Sequence, residues 1–311
     1  MDKAYKSDLL LLLAAFVWGT AFVAQRKGME FVGPYTYNTI RFAIGGLVLL
    51  PLVFRTRAKG AEIPLKKSFW FGGAIAGAVL FGGTSFQQVG LQYTTAGKAG
   101  FITGLYVVLI PVISTFMGRR YRKSVWAASV LVIIGLFLLC MGKQFYFSEG
   151  DNIISPIVRF WQTSNFNRGD GLVFVGAVIW AVHVLVIERL IGTSEAIYLA
   201  CCQFMVCALL SFTFALVLEQ FILSDIMAAA IPILYGGLLS VGLGFSLQVF
   251  AQKNAPAAHV AIIMSFEAVF AVVAGWLILN EDMGVKAIIG CGLMLAGMIL
   301  VQLRAMKSRQ G

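Results

Sequence analysis

Five apolar spans, each near 20 residues, are followed by five more that repeat their landmarks, and nothing else in the chain restricts its fold as tightly. The runs fall at about 8–25, 35–54, 68–90, 95–117 and 124–142, then at about 170–190, 196–218, 227–251, 257–280 and 284–303. A helix rising ~1.5 Å per residue crosses a hydrocarbon layer of ~30 Å in about 20 residues, so each run reads as a transmembrane helix. Hydrophobic residues make up 59% of the 311 and charged ones only 12%, which is more apolar surface than a soluble core can hide. The solvent is lipid, where a backbone must satisfy its own hydrogen bonds, and helices do so. The first run continues through Trp18 to Ala24 without a cleavage pattern and reads as a retained helix, not a signal peptide.

The second set of spans restates the first. Trp18 returns as Trp180, 162 positions on, and at that offset Arg41-Phe42 falls on Gln203-Phe204. Gln88 and Gln92 return as Gln248 and Gln252, 160 positions on. Five is odd, so the second copy enters the membrane from the opposite side. The expected fold is an all-α integral membrane protein with ten transmembrane helices as two inverted five-helix repeats, 8–142 and 170–303. Residues 143–169 link the repeats, and 304–311 form a tail. Phe145, Tyr146, Phe147 and Trp161 of the linker suit the membrane interface. A plain connection and a lid both remain open for that segment.

Charge sets the orientation. With the N-terminus inside, sixteen of the 24 Lys and Arg fall in cytoplasmic segments and seven in outer ones, with Arg41 inside a span. Both termini are therefore expected in the cytoplasm, in the inner (plasma) membrane. The net charge of +10 reflects basic loops beside anionic lipid, since no separate basic domain exists to bind nucleic acid.

Several enzyme and cofactor signals fail. Gly97-Lys98 resembles the end of a phosphate loop, but Gln92 stands where its first Gly belongs and Ala99 replaces Ser or Thr. His183 and His259 lie on different spans without metal-ligand spacing, and no serine sits in a nucleophile elbow. Cys140, Cys201, Cys202, Cys207 and Cys291 all fall within spans, an odd number that reads as packing residues and not as a disulfide framework. No metal, cofactor or enzymatic activity is expected. Without an ATP motif, any transport must run on gradients or be driven by a partner.

The landmarks also carry a resemblance. Trp18-Gly19, Pro34 and Arg41-Phe42, then Trp180-Ala181 and Gln203, resemble the drug/metabolite transporter repeat of the EamA type. Ser265-Phe266-Glu267-Ala268 and Leu279-Asn280-Glu281 are similar to that family's Leu-Glu-Pro and Leu-Gly-Glu stretches. The resemblance implies ten helices, two inverted repeats and carriage of small metabolites, often outward. Two positions depart from the pattern. Gly118-Arg119-Arg120 stands where Gly-Glu is favoured, and Ala268 replaces a proline, so span nine is expected to lack the usual kink.

Candidate pathway residues follow from helical faces, which repeat at i, i+4 and i+7. Span one aligns Ala14, Trp18, Ala21 and Gln25, and span six aligns Gly176, Trp180, His183 and Ile187. A tryptophan among small residues suits either a cavity wall or tight packing. Gln88 and Gln92 lie toward the outer end of span three, and Gln248 and Gln252 toward the inner end of span eight. Their amides suit polar or zwitterionic solutes, or bonds to neighbouring helices. Gly97, Gly100, Gly104 and Pro111 form a stripe on span four, with Thr103 and Tyr106 beside it as solute contacts. Glu267, midway along span nine, binds a cation or proton or else stays neutral between helices. His183 is a proton relay or a satisfied core residue. Arg41 attracts an anionic solute, snorkels, or pairs with Glu30, and Lys98 reads as an interfacial charge.

These features predict a secondary transporter of small metabolites, amino acids or related polar or amphipathic solutes, working outward by alternating access with protons as a candidate coupling ion. Spans 1, 3, 4, 6, 8 and 9 are expected around a midplane cavity. The competing reading is a membrane-embedded sensor or scaffold that binds without transport, and a monomer and a homodimer remain equally open.

Overall fold

The computed structural model describes residues 3–58, 67–94, 96–141, 155, 168–190, 196–252, 257–279 and 285–307. Among them there is no strand. The helices are α1 (Lys3–Gly28), α2 (Pro34–Ala58), α3 (Lys67–Leu91), α4 (Ala96–Gly104), α5 (Tyr106–Phe116), α6 (Lys123–Met141), α7 (Arg168–Leu190) and α8 (Ala196–Leu218). There follow α9 (Leu223–Ala228), α10 (Ala230–Leu234), a π-helical segment Tyr235–Phe245, α11 (Ser246–Gln252), α12 (Ala257–Met264), α13 (Glu267–Leu279) and α14 (Val285–Lys307). Six helical stretches are long and apolar enough to cross a bilayer, among them Tyr5–Gly28, Arg168–Leu190 and His259–Ile278, and shorter apolar helices accompany them. The protein is a multi-pass membrane protein. The expected linker, with its four aromatics, lies outside the described residues apart from Ser155 and the start of α7, as do Asn280 and Glu281.

Polarity is distributed as lipid demands. Phe116, Val217 and Ile231 are each more than three-quarters exposed, a pattern that water would punish and acyl chains accept. The interior instead holds Gln25, Arg41, Gln88, His183, Gln203, Gln248 and Glu267, all nearly or fully buried. Small residues let the helices approach. A Cβ added to Gly135 of α6 would lie 2.6 Å from the Gly290 carbonyl oxygen of α14, and one added to Gly19 of α1 would lie 2.5 Å from the Glu267 carbonyl oxygen of α13. The main seams join α3 to α7, α2 to α8, α6 to α14, and α1 to both α13 and the π-helical segment.

Two spans are discontinuous. Span four breaks at Leu105, whose N–H donates to Ile102 at 3.2 Å in a tightened i to i+3 bond. Span nine breaks at Ser265-Phe266, where Phe266 donates to Ile263 and Ala268 to Ser265, each at 3.2 Å. This corrects the expectation that span nine, lacking proline, runs without a kink. The Ser265 hydroxyl donates to the Ile262 carbonyl at 2.7 Å and competes with the helical ladder, a break that needs no proline.

After the break, α5 ends in a Schellman motif. Gly118 adopts φ +82°, Arg119 donates to Ser114 and Gly118 to Thr115, both at 3.0 Å. The motif delivers Arg119, the departure from the family pattern, to Glu188 at the end of α7, with which it forms an ion pair. That contact holds Arg119 above its ordinary pKa, chiefly through the hydrogen bond that its guanidinium donates to the Glu188 carboxylate.

Candidate functional site

One cavity enclosing about 530 Å³ of atom-free space, mouth included, lies where the seams meet. The face Trp18, Phe22 and Gln25 of α1 forms one wall at helical spacing, and Trp180 with Val184 of α7 forms another. Thr84 and Gln87 come from α3 and Arg41 from α2. The broken spans supply Thr103 and Tyr106 from span four and Met264 and Glu267 from span nine. Span eight adds Ser240 and Phe245 at the π-helical segment, then Gln248. All six expected spans contribute, and span two joins them through Arg41.

The aromatic walls have no donors to spare. Trp18 donates its indole N–H to the Ser240 carbonyl at 3.0 Å, and Trp180 donates to Gln87 Oε1 at 2.7 Å. Any Cβ on Gly244 would lie 2.5 Å from Trp18 Nε1, so this indole reaches the π-helical backbone only because residue 244 is glycine. Phe245 sits between the two, its ring centroid 4.6 Å from Trp18 and 5.6 Å from Trp180, the latter stacked at 17°. With both N–H groups engaged, the tryptophans offer a solute ring faces, which suit apolar or aromatic groups.

The polar walls differ. Gln25 Oε1, Arg41 Nε, Thr103 Oγ1, the Tyr106 hydroxyl, Gln248 Oε1 and Glu267 Oε1 are buried without a hydrogen-bond partner in the protein. Tyr106 and Glu267 are neighbours whose phenol and carboxyl approach closely enough to interact, though short of a well-formed hydrogen bond. Of the nineteen such buried atoms among the described residues, six converge on this one cavity. They are free to bind whatever fills it.

The sequence-derived candidates separate on this map. Trp18, Gln25, Arg41, Thr103, Tyr106, Trp180, Gln248 and Glu267 line the cavity. His183 lies just behind the wall, fully buried, with its ring edge toward Trp180 at 5.6 Å between centroids and Nε2 at 2.9 Å from Gln203 Oε1. The glutamine pairs are not equivalent. Gln88 is buried outside the lining and Gln92 is exposed in the turn beyond α3, whereas Gln252 donates to the Val184 carbonyl at 2.8 Å behind Gln248. The pairing of Arg41 with Glu30 is not formed, because Lys27, three residues before Glu30, takes it at 3.2 Å. No side-chain placement for Lys98 falls within the described structure.

Gln87, Ser240 and Phe245 were missed. Gln87 is adjacent to Gln88, and counting from the repeated pair selects the wrong member. Ser240 and Phe245 lie within the π-helical stretch, through which α-helical counting fails.

The end of the bundle that holds the start of α1 is tied shut by polar contacts. Asp8 meets His259 Nε2 at 2.8 Å, and Glu188, besides holding Arg119, accepts the Ala257 N–H that opens α12 at 3.0 Å. At the other end Thr94 donates to Asp170, and Arg168 lies 3.7 Å above the Tyr93 ring. Among the described residues no three His, Cys, Asp or Glu gather as metal ligands.

Comparison with known proteins agrees with this architecture. The family model described as the EamA-like transporter family matches residues 5–141 and again 167–303. A protein of Archaeoglobus fulgidus named an uncharacterized transporter is 30% identical over 304 residues, covering 97% of this chain and 87% of its own. The uncharacterized transporter YoaV of Bacillus subtilis is 23% identical over 95% of this chain and 96% of its own. The chloroplastic WAT1-related protein At3g02690 of Arabidopsis thaliana is 23% identical over 94% of this chain and 68% of its own. A crystal structure superposes with a TM-score of 0.72 at 20% identity, covering 97% of this chain and 98% of that one, a likeness of fold.

Proposed function

The chain belongs to the EamA-like transporter family of the drug/metabolite transporter superfamily, and on that premise we propose that it is a secondary carrier exporting small amphipathic metabolites, amino acids or related solutes, by alternating access. In this reading the ten spans form two inverted five-helix repeats, 8–142 and 170–303, joined outside by 143–169. The protein sits in the inner membrane with both termini cytoplasmic.

The observation that carries the reading is the convergence of six unpartnered polar atoms and five aromatic residues on one cavity fed by both halves. A scaffold has no use for such a set, because each unpartnered group costs stability unless a solute or water satisfies it. The positions that correspond between halves support the inverted arrangement. Trp18 bonds to the second half and Trp180 to the first, and the breaks at Leu105 and Ser265 are 160 positions apart. Broken helices at such a cavity let one set of helices rock against the other. Glu267 is the proposed site for a proton or for the amine of the cargo.

Purified protein reconstituted into vesicles tests this directly. Saturable counterflow is expected for at least one amphipathic solute of a broad metabolite panel. Folded protein that shows ligand-dependent thermal stabilisation but no counterflow would be a membrane sensor, and the carrier reading would be abandoned.

A further inference from the structure

We propose that Arg41 is the subsite that holds a carboxylate of the cargo, and that Ala21 is what leaves it open. The inference deepens the carrier reading and rests on it for the word cargo, though not for the binding site.

Arg41 is 4% exposed and lines the cavity, so its guanidinium meets no bulk water. Among the described residues no carboxylate pairs with it, and its Nε–H is without a hydrogen-bond partner. Two rings flank it, Tyr37 at 5.4 Å and Phe42 at 5.0 Å from Cζ. Tyr37 is itself fixed by donating to the Pro232 carbonyl at 2.9 Å. Ring faces attract a cation, but they do not replace the directed acceptor that a buried N–H requires. The stem has been accommodated as well. A Cβ on Gly236 would lie 3.3 Å from Arg41 Cδ, so the π-helical segment leaves room for the arginine to lie where it does.

The second half shows what a closed version of this corner looks like. At the corresponding offset of 162, Arg41 becomes Gln203 and Ala21 becomes His183. There the two side chains meet at 2.9 Å, Nε2 to Oε1, both fully buried and neither lining the cavity, with His183 Nδ1 and Gln203 Nε2 left over behind the wall. In the first half the partner has been reduced to a methyl group and the neutral amide replaced by a permanent charge. A lone buried guanidinium with an unused N–H facing a cavity is built for an anion. With one guanidinium and walls of Trp18, Trp180 and Phe245, a monovalent carboxylate on an apolar or aromatic body matches the charge and the shape. A phosphate dianion would remain half neutralised.

The test compares phenylacetate with its neutral isostere phenylacetamide as ligands of the full-length protein in detergent, read by thermal stabilisation. The wild type is expected to bind phenylacetate at least tenfold more tightly. Arg41→Gln removes that preference while keeping phenylacetamide binding, and Arg41→Lys keeps part of it. The double variant Ala21→His with Arg41→Gln rebuilds the second-half pair and is expected to fold as the wild type does without carboxylate preference. Unchanged phenylacetate affinity in Arg41→Gln overturns the proposal. So does loss of fold in Arg41→Gln that the double variant fails to restore, since Arg41 is then structural. Vesicle counterflow separates the two readings. Counterflow of other solutes with no carboxylate preference sinks the subsite alone, and carboxylate preference without any counterflow sinks the carrier alone.

Discussion

Spans four and nine break at corresponding places and pack against each other beside the cavity, yet they are built to different tolerances. Span nine resumes at Glu267, a carboxylate in the first turn of α13, where the helix dipole favours negative charge. Its backbone is held by α1 so closely that Gly19 admits no side chain. Span four resumes at Tyr106, a neutral phenol. Its small residues meet α13 loosely, since a Cβ on Gly100 would find Ala271 at an ordinary 3.7 Å and one on Gly97 would find nothing within 4 Å. One broken helix is a fixed, carboxyl-bearing half-site and the other a yielding, phenol-bearing one. An alternating-access carrier uses both, a position that defines the site and a neighbour that can move past it.

The sharpest way to break this contrast is Glu267→Gln. If the carboxyl of this half-site couples transport to protons, uptake driven by a pH gradient falls at least tenfold, about 1.4 kcal/mol of barrier, while counterflow without a gradient survives. Gradient-driven uptake equal to wild type at equal expression removes Glu267 from coupling. Next in size is a difference in stability. Gly19→Ala drives a methyl against the backbone of α13 and is expected to lose about 1–3 kcal/mol, whereas Gly100→Ala stays within ~0.5 kcal/mol. Thermal unfolding of the two variants in one detergent decides it, and equal melting points would mean that the two seams are equally tight.

How much of this was legible beforehand depended on whether the signal was local. The membrane class, the ten apolar runs and the Trp18–Gln25 face depend on residues a few positions apart, and periodicity reads them directly. Glu267 stood out because a mid-span carboxylate is costly wherever its neighbours lie. The break before it was invisible, since Ser265 performs with a hydroxyl what proline usually does with a ring. Phe245 escaped because the π-helical segment turns its face away from the α-helical count. Arg41 was legible as an oddity but not as a vacant donor. That required seeing that Glu30 had gone to Lys27 and that the second half had closed the same corner with His183 and Gln203.

A smaller effect sharpens the contrast within the site. Tyr106→Phe keeps the ring of the yielding half and removes only the hydroxyl beside Glu267. Because that hydroxyl has no hydrogen-bond partner in the protein, stability should change by less than ~0.5 kcal/mol. Solute affinity should fall about threefold if the phenol contacts the cargo. Affinity and pH dependence both identical to wild type would assign the cargo to Glu267 and Thr103 without it.

The smallest expected change is at the break itself. Ser265→Ala deletes the 2.7 Å bond to the Ile262 carbonyl, and two outcomes compete. The carbonyl, buried and left with one acceptor unused, costs about 1 kcal/mol. Against this, alanine is the better helix former by a few tenths of a kcal/mol and lets the ladder close across residues 265–266. The carbonyl cost is the larger of the two, so a net loss near 0.5 kcal/mol is expected with the break retained. Faster hydrogen exchange at Phe266 and Ala268, whose N–H groups now make the tightened bonds, would report it. A variant that is instead more stable, with exchange at those amides slowed, would show that the serine holds span nine open against its own helical preference. The fixed half-site would then be fixed by α1 and not by its own sequence.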